Sequence, residues 1–227
     1  MKPPAPPRLP TAFDGSWPPG PLEDEDDVVG VEIRGAARDL AELSAEAVVF
    51  EECRFAGADL HGSVLEGVRM TDVAFADCDL SNVRIDGGNL VRVVLDGCRV
   101  TGMRIVGGRL TDVTLVRCRG EHWVASGARL QRVHVDDCVL PRSDWAEGAW
   151  EDVLVTGGDL AEADVSGLRA SECELRGVLL PGVRGLSGLR GIGIDDATLA
   201  GLAPDLARHA GMVLLEATPS PFSGSAP

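Results

Sequence analysis

From residue 48 onward the apolar positions of this chain recur every five residues. Written in fives, the stretch 76-ADCDL SNVRI DGGNL VRVVL DGCRV-100 closes each block on an apolar residue: Leu80, Ile85, Leu90, Leu95, Val100. The middle of each block is small or apolar: Cys78, Val83, Gly88, Val93, Cys98. A helix repeats its apolar face near 3.6 residues and a strand near 2, and five fits neither. Taking the block-closing residue as a centre, 24 of the 27 centres from Phe50 to Leu180 are large and apolar, with Gly120, Ala125 and Ala170 as exceptions. None of the 27 residues two before a centre is charged, and all 37 charged residues of 48–185 occupy the other three positions. Two side chains in five therefore point inward and three outward.

A twenty-residue period lies above the short one. Cys78, Cys98, Cys118 and Cys138 are 20 apart, as are Cys53, Val73, Val93, Val113, Val133, Val153 and Cys173. Such columns arise if four blocks make one square turn and each turn stacks on the last at ~4.8 Å through parallel-sheet hydrogen bonds. The pattern predicts an all-β solenoid, a quadrilateral parallel β-helix of about eight coils, roughly 35–40 Å long at that spacing. Residue size is balanced locally: Trp123 is flanked by Gly120 and Ala125, and Trp145 and Trp150 follow Ser143 and Gly148, as close packing requires. The outward column Glu52, Asp72, Arg92, Asp112, Arg132, Asp152, Glu172 alternates in sign from Asp72 to Asp152, which sets register. Asp86-Gly87 and Asp96-Gly97 recur in phase with the coil and are read as its corners.

The flanks differ. Residues 1–27, with Pro3, Pro4, Pro6, Pro7 and Pro10 and the run Glu23–Asp27, have the composition of a disordered tail. Residues 28–185 form the rod, with 31–50 fitting the five-residue frame more loosely. Residues 186–216 break it: Asp195 or Asp196 caps a short helix with Leu199 and Leu202, Pro204 opens a second with Leu206, and Gly211 ends it. Met212–Leu215 reads as a short strand or docking segment, and 217–227 as a second disordered tail. Leu199, Leu202 and Leu206 either cover the last coil, whose open edge needs a cap, or pair two rods as a homodimer.

At this point the chain resembles the pentapeptide-repeat family, whose A-[DN]-L-x-x pattern appears in Ala58-Asp59-Leu60, Cys78-Asp79-Leu80 and Gly158-Asp159-Leu160. The resemblance implies a right-handed β-helix. The ending, residues 189–214, is similar in layout to the quinolone-resistance branch, in which a final coil, a helix and an apolar strand pair two rods. That likeness implies mimicry of duplex DNA toward a type II topoisomerase, DNA gyrase, and fluoroquinolone tolerance.

The formal charge of −15 disfavours direct nucleic-acid binding, which wants a basic footprint. No stretch approaches the ~20 apolar residues of a membrane span, and MKPPAPPRLP lacks a signal-like apolar run, so a cytoplasmic location is expected. The six Cys all fall at the inward small position, as buried hydrophobes, and a straight column does not offer the tetrahedral set zinc needs. No catalytic site, cofactor or metal is expected. Two functions remain: a protein-binding or structural scaffold, and the DNA mimic as the alternative. The regularly spaced outward acids that would meet a partner are Asp59, Asp72, Asp79, Asp112, Asp152, Asp159 and Asp164. Against mimicry, Arg69, Asn89, Arg109, Arg129, Ala149 and Arg169 make a basic stripe.

Overall fold

For both inward residues of every block to meet one axis, the chain must bend after each block. The residue two past each centre makes that bend in the left-handed region, whether glycine (Gly87, φ 67°; Gly97, φ 65°) or not (Asp72, φ 58°; His122, φ 58°). Four bends close a square coil, and the next coil lies on it in register. In the computed structural model, which describes residues 2–18, 20–35 and 40–215, Val73 pairs with Val93, Val93 with Val113, Val113 with Val133 and Val133 with Val153. The result is a right-handed quadrilateral parallel β-helix of about eight coils with one C-terminal helix.

Each coil has four faces. The first (centres Met70, Leu90, Leu110, Leu130, Trp150) and second (Phe75, Leu95, Leu115, Val135, Val155) are joined in eight-residue strands, Arg69–Ala76, Asn89–Asp96, Arg109–Val116, Arg129–Asp136 and Ala149–Thr156. The third, through Asp59, Asp79 and Arg99, is held by isolated parallel bridges. The fourth holds the short strands Ser44–Glu46, Val64–Glu66, Arg84–Asp86 and Arg104–Val106.

The interior is one continuous apolar cluster. Its columns stack like on like: the Phe55 and Phe75 rings lie 4.9 Å apart and 10° from parallel, one coil spacing. Trp123 stacks on Trp145 at 6.1 Å, and Trp145 meets Trp150 edge-on at 5.3 Å. Trp145 Nε1 donates to Ser143 Oγ at 2.8 Å, so the small residue before that ring is also its partner. All six cysteines are buried free thiols. Burial pushes the Cys53 and Cys173 thiols up, which keeps them protonated.

Several expectations change. Upstream of residue 50 the offset between coils is 22, with Val28 over Phe50 and Ile33 over Phe55. It returns to 20 at Ala45 over Leu65, so the first coil has two extra residues between Ile33 and Ala45. That explains the looser frame at 31–50. Residues 2–18 and 20–27, read from composition as disordered, lie on the rod. Proline pre-sets the extended backbone and lowers its ordering entropy, and Trp17 and Leu22 are buried at the first coil, Trp17 with its ring 6.2 Å from Phe50. The sheet runs past residue 185, Gly193–Ile194 pairing with Glu174–Leu175.

The two short helices expected around Pro204 are one, Asp196–His209, which carries Pro204 inside. It is tied to the rod along its length, which holds it across the missing N–H. Asp195 Oδ1 caps it, accepting from Thr198 N–H at 2.9 Å. Asp195 Oδ2, Thr198 Oγ1 and Asp205 Oδ2 accept from the N–H groups of Gly177, Val178 and Gly182, replacing the coil that would come next. Met212–Leu215 has no strand partner among the described residues and is exposed. Residues 217–227 lie outside the described residues. Among those described, no helix is long and apolar enough to cross a membrane.

Candidate interaction surface

With the interior filled, what the rod offers a partner is its outward columns. On the third and fourth faces the motif aspartate sits one before a centre. Its Oδ1 accepts from the N–H two residues on: His61 to Asp59 (3.0 Å), Ser81 to Asp79 (2.9 Å), Ala161 to Asp159 (2.8 Å), Ser166 to Asp164 (2.9 Å). These are side-chain turns that shape the block. Asp59 also meets His61 Nδ1 at 2.8 Å, Asp79 lies 3.9 Å from Arg99 and Asp164 3.4 Å from Arg184. Four of the seven acids expected to meet a partner are thus engaged with their own coil or its neighbour.

The other three, Asp72, Asp112 and Asp152, share the corner between the first and second faces. Arg92 grips Asp72 with two bonds of 2.6 Å, and Arg132 grips Asp112 at 2.8 and 2.9 Å. Burial opposes ionisation of Asp72, but Arg92 and the Arg8 N–H outweigh it and hold its carboxyl below the ordinary value. The Arg132 guanidinium does the same for Asp112, helped by the Ala5 N–H. A carboxyl held low stabilises the fold only while ionised. The contribution is therefore present above the unfolded value, ~3.9, and is lost as pH falls through the lower folded value. Melts from about pH 5 to about pH 2 should show stability falling with acid, and less steeply in a D72N/D112N variant; an unchanged slope would remove these carboxylates from the transition.

The basic stripe is real in space. Arg69, Asn89, Arg109, Arg129, Ala149 and Arg169 are successive partners on the first face, and the four arginines are exposed. Among the described residues none of the four is within ion-pair distance of a carboxylate, whereas Arg54, Arg84, Arg92, Arg99, Arg117, Arg119, Arg132, Arg142, Arg176 and Arg184 all are. Because residues 149 and 170 are alanines, the face dips into a shallow open groove there, lined by Arg109, Arg129, Arg169, Gln131, Glu151 and Trp150.

One cluster had no signal in the spacing. Thr156 Oγ1 donates to Asp136 and lies 3.0 Å from His134 Nε2. Hydroxyl and imidazole meet, but the threonine proton goes to the carboxylate, so His134 is not placed as its base. Among the described residues no group of three or more His, Cys, Asp or Glu could hold a metal ion. At the C-terminal end Leu202 is buried against the last coil, while Ile194, Leu199, Leu206 and Met212–Leu215 are exposed.

The family model described as pentapeptide repeats (8 copies) matches residues 39–72. No curated protein sequence matches the chain. Among solved structures, it is similar to full-length QnrB1, a plasmid-mediated fluoroquinolone resistance protein, at 14% identity over 82% of this chain and 99% of that one, with a TM-score of 0.36. It is also similar to HetL, a pentapeptide repeat protein involved in heterocyst differentiation regulation from the cyanobacterium Nostoc sp. strain PCC 7120, at 13% identity over 75% and 87% of the two chains, TM-score 0.34. A third is Rfr23, a pentapeptide repeat protein from the cyanobacterium Cyanothece 51142, at 14% identity over 75% and 88%, TM-score 0.14. Four five-residue faces per coil, a left-handed corner after each, and an aspartate turn before the centres of the third and fourth faces are the repeat in three dimensions: the chain belongs to the pentapeptide-repeat family.

Proposed function

We propose that this protein is a non-enzymatic docking rod that binds a protein partner through the arginine stripe of its first face. The observation that carries the reading is that stripe. In a chain of charge −15, four exposed arginines lie in line with no carboxylate among the described residues within ion-pair distance, beside a groove floored by Trp150 and Ala170. Arginine is among the residues that anchor protein interfaces, and the charge fits an acidic partner surface. The repulsive net charge argues against phosphate backbones as the natural ligand.

The test compares what the wild-type rod and an R109E/R129E variant retain from a lysate of the source cells. Bands held by the first and lost by the second are expected, and identical profiles would end the proposal. The alternative, mimicry of DNA toward gyrase, calls for an uninterrupted carboxylate face. Asp72 and Asp112 are paired with Arg92 and Arg132, and Asp59 and Asp79 give way to Arg99 and Arg119 up the third face, which argues against it. Supercoiling by purified gyrase is accordingly expected to be unchanged at micromolar rod, and dose-dependent inhibition would put the alternative in its place. The exposed run of Leu199, Leu206 and Met212–Leu215 supports pairing of two rods end to end. On that reading an L199E/L206E variant sediments at half the wild-type mass, and a monomeric wild type would exclude it.

A further inference from the structure

Nine residues at the N-terminus repeat a pattern of their own. In 2-KPPAPPRLP-10 the residues at 2, 5 and 8 are not proline, and the two between each pair are. A run of this kind adopts polyproline II, with three residues per turn and ~9.3 Å per turn. From Lys2 to Arg8 only every third residue keeps an N–H, and all three of these point at the rod. Lys2 N–H donates to both oxygens of Asp152 (3.1 Å each), Ala5 N–H to Asp112 (3.1 Å) and Arg8 N–H to Asp72 (2.8 Å).

The acceptors are 40 residues apart, two coils, or ~9.6 Å at the sheet spacing. Three residues of the strap therefore span two coils almost without mismatch, and the sign alternation along the column places an aspartate at every step. Pro4, Pro7 and Pro10, again every third residue, are half-buried, while Pro3 and Pro6 are exposed. The strap crosses the second face, whose outward middle column is weakly polar: Ala74, Val94, Thr114, His134, Leu154, all half-buried. Pro3 and Pro4 border the same cleft as His134 and Leu154.

The corner itself is built for side chains. All of Glu52, Asp72, Arg92, Asp112, Arg132, Asp152 and Glu172 are in the left-handed region at φ 52–58°. Each non-glycine there costs on the order of 1 kcal/mol. The other three corner columns use glycine repeatedly, and this one has none between residues 52 and 172. Arg92 and Arg132, between the three acceptors, hold the Asp72 and Asp112 carboxylates ionised and aimed.

We propose that the second face of the rod and its charged corner form a recognition surface for polyproline-II chains of the form x-Pro-Pro, with residues 2–10 as its resident ligand. The surface reads register: an N–H must arrive every third residue, opposite an aspartate every second coil. When the resident strap is released, the surface accepts an equivalent proline-rich segment in trans. This is separate from the first face and does not depend on what docks there.

The experiment uses the full chain carrying Ala5→Pro and Arg8→Pro, which removes two of the three donors, keeps the extended strap and leaves the rod untouched. A labelled peptide MKPPAPPRLP is titrated against it. Saturable binding is expected, at least ten-fold tighter than to wild type, in which the tethered strap competes at millimolar effective concentration. A peptide one residue out of register, MKPPAAPPRLP, and a rod with added D112N should each bind at least ten-fold more weakly. No binding at millimolar peptide, or equal binding of the shifted peptide, overturns the proposal. In the wild-type chain, the Ala5 and Arg8 amides should exchange with solvent at least ten-fold more slowly than in the A5P/R8P-free D72N/D112N variant, and equal exchange likewise overturns it.

Discussion

Replacing Trp123 with alanine is expected to lower the unfolding free energy by about 3–5 kcal/mol, the usual cost of emptying a buried aromatic site. At this chain length that corresponds to a fall in melting temperature of roughly 6–20 °C. Trp123 is 1% exposed and stacks on Trp145, which in turn meets Trp150. The three rings span two adjacent coils, so the void would lie inside the rod, where stacked backbones resist collapse. Trp123→Phe makes the contrast. The indole Nε1 is buried without a hydrogen-bond partner among the described residues, and removing such a group relieves on the order of 1–3 kcal/mol. The phenylalanine variant is therefore expected to keep most of the wild-type stability. Thermal and urea unfolding of both variants check this, and equal losses would mean that ring volume is not what the site stores.

Gly158→Ala is expected to destabilise by about 2–4 kcal/mol, summing a left-handed alanine and an overpacked contact. The sequence pattern points the other way. Position 158 is column-mate to Ala58 and Cys78, and alanine would complete the motif before Asp159-Leu160. In the folded rod Gly158 has φ 79°, and a Cβ there would lie 2.1 Å from the Cys138 carbonyl oxygen. The obstacle is the backbone of the coil below, which no side-chain rotation clears. A melting temperature within 1 °C of wild type would show that the 157–158 corner readily adopts the geometry of its column-mates.

The coil was legible because it is a local repeat satisfied by near neighbours. Every inward position recurs in phase, so Val93 over Val113 follows from counting alone. The same counting misplaced the first coil, since two extra residues shift every later position without altering the pattern on either side. The motif aspartates stood out by spacing, but spacing cannot separate an acid aimed at a partner from one closing its own turn. Distances can, and they place Asp59, Asp79, Asp159 and Asp164 in turns. The cluster of His134, Thr156 and Asp136 was invisible for a similar reason: Asp136 and Thr156 stack on one column, but His134 lies on the next outward column of the Asp136 coil, and its meeting with Thr156 depends on how side chains lean across the second face.

The termini divide the two kinds of information most clearly. Proline restricts its own backbone and that of its neighbour, which favours an extended chain over residues 2–10, but composition alone shows only a segment poor in apolar residues. It says nothing of a receiving surface, and a chain with few apolar residues then reads as disordered. The match between a ~9.3 Å turn and two ~4.8 Å coils exists only once the rod is built. What the amino-acid sequence determined by itself is the square, stacked coil and the filling of its axis, since both follow from which residues avoid water at a fixed period. What the tertiary structure decided is the use of the outer surface, because charges far apart in the chain become neighbours only after the coils stack. Stacking commits most carboxylates to turns, arginines and the strap, and leaves one line of arginines facing outward.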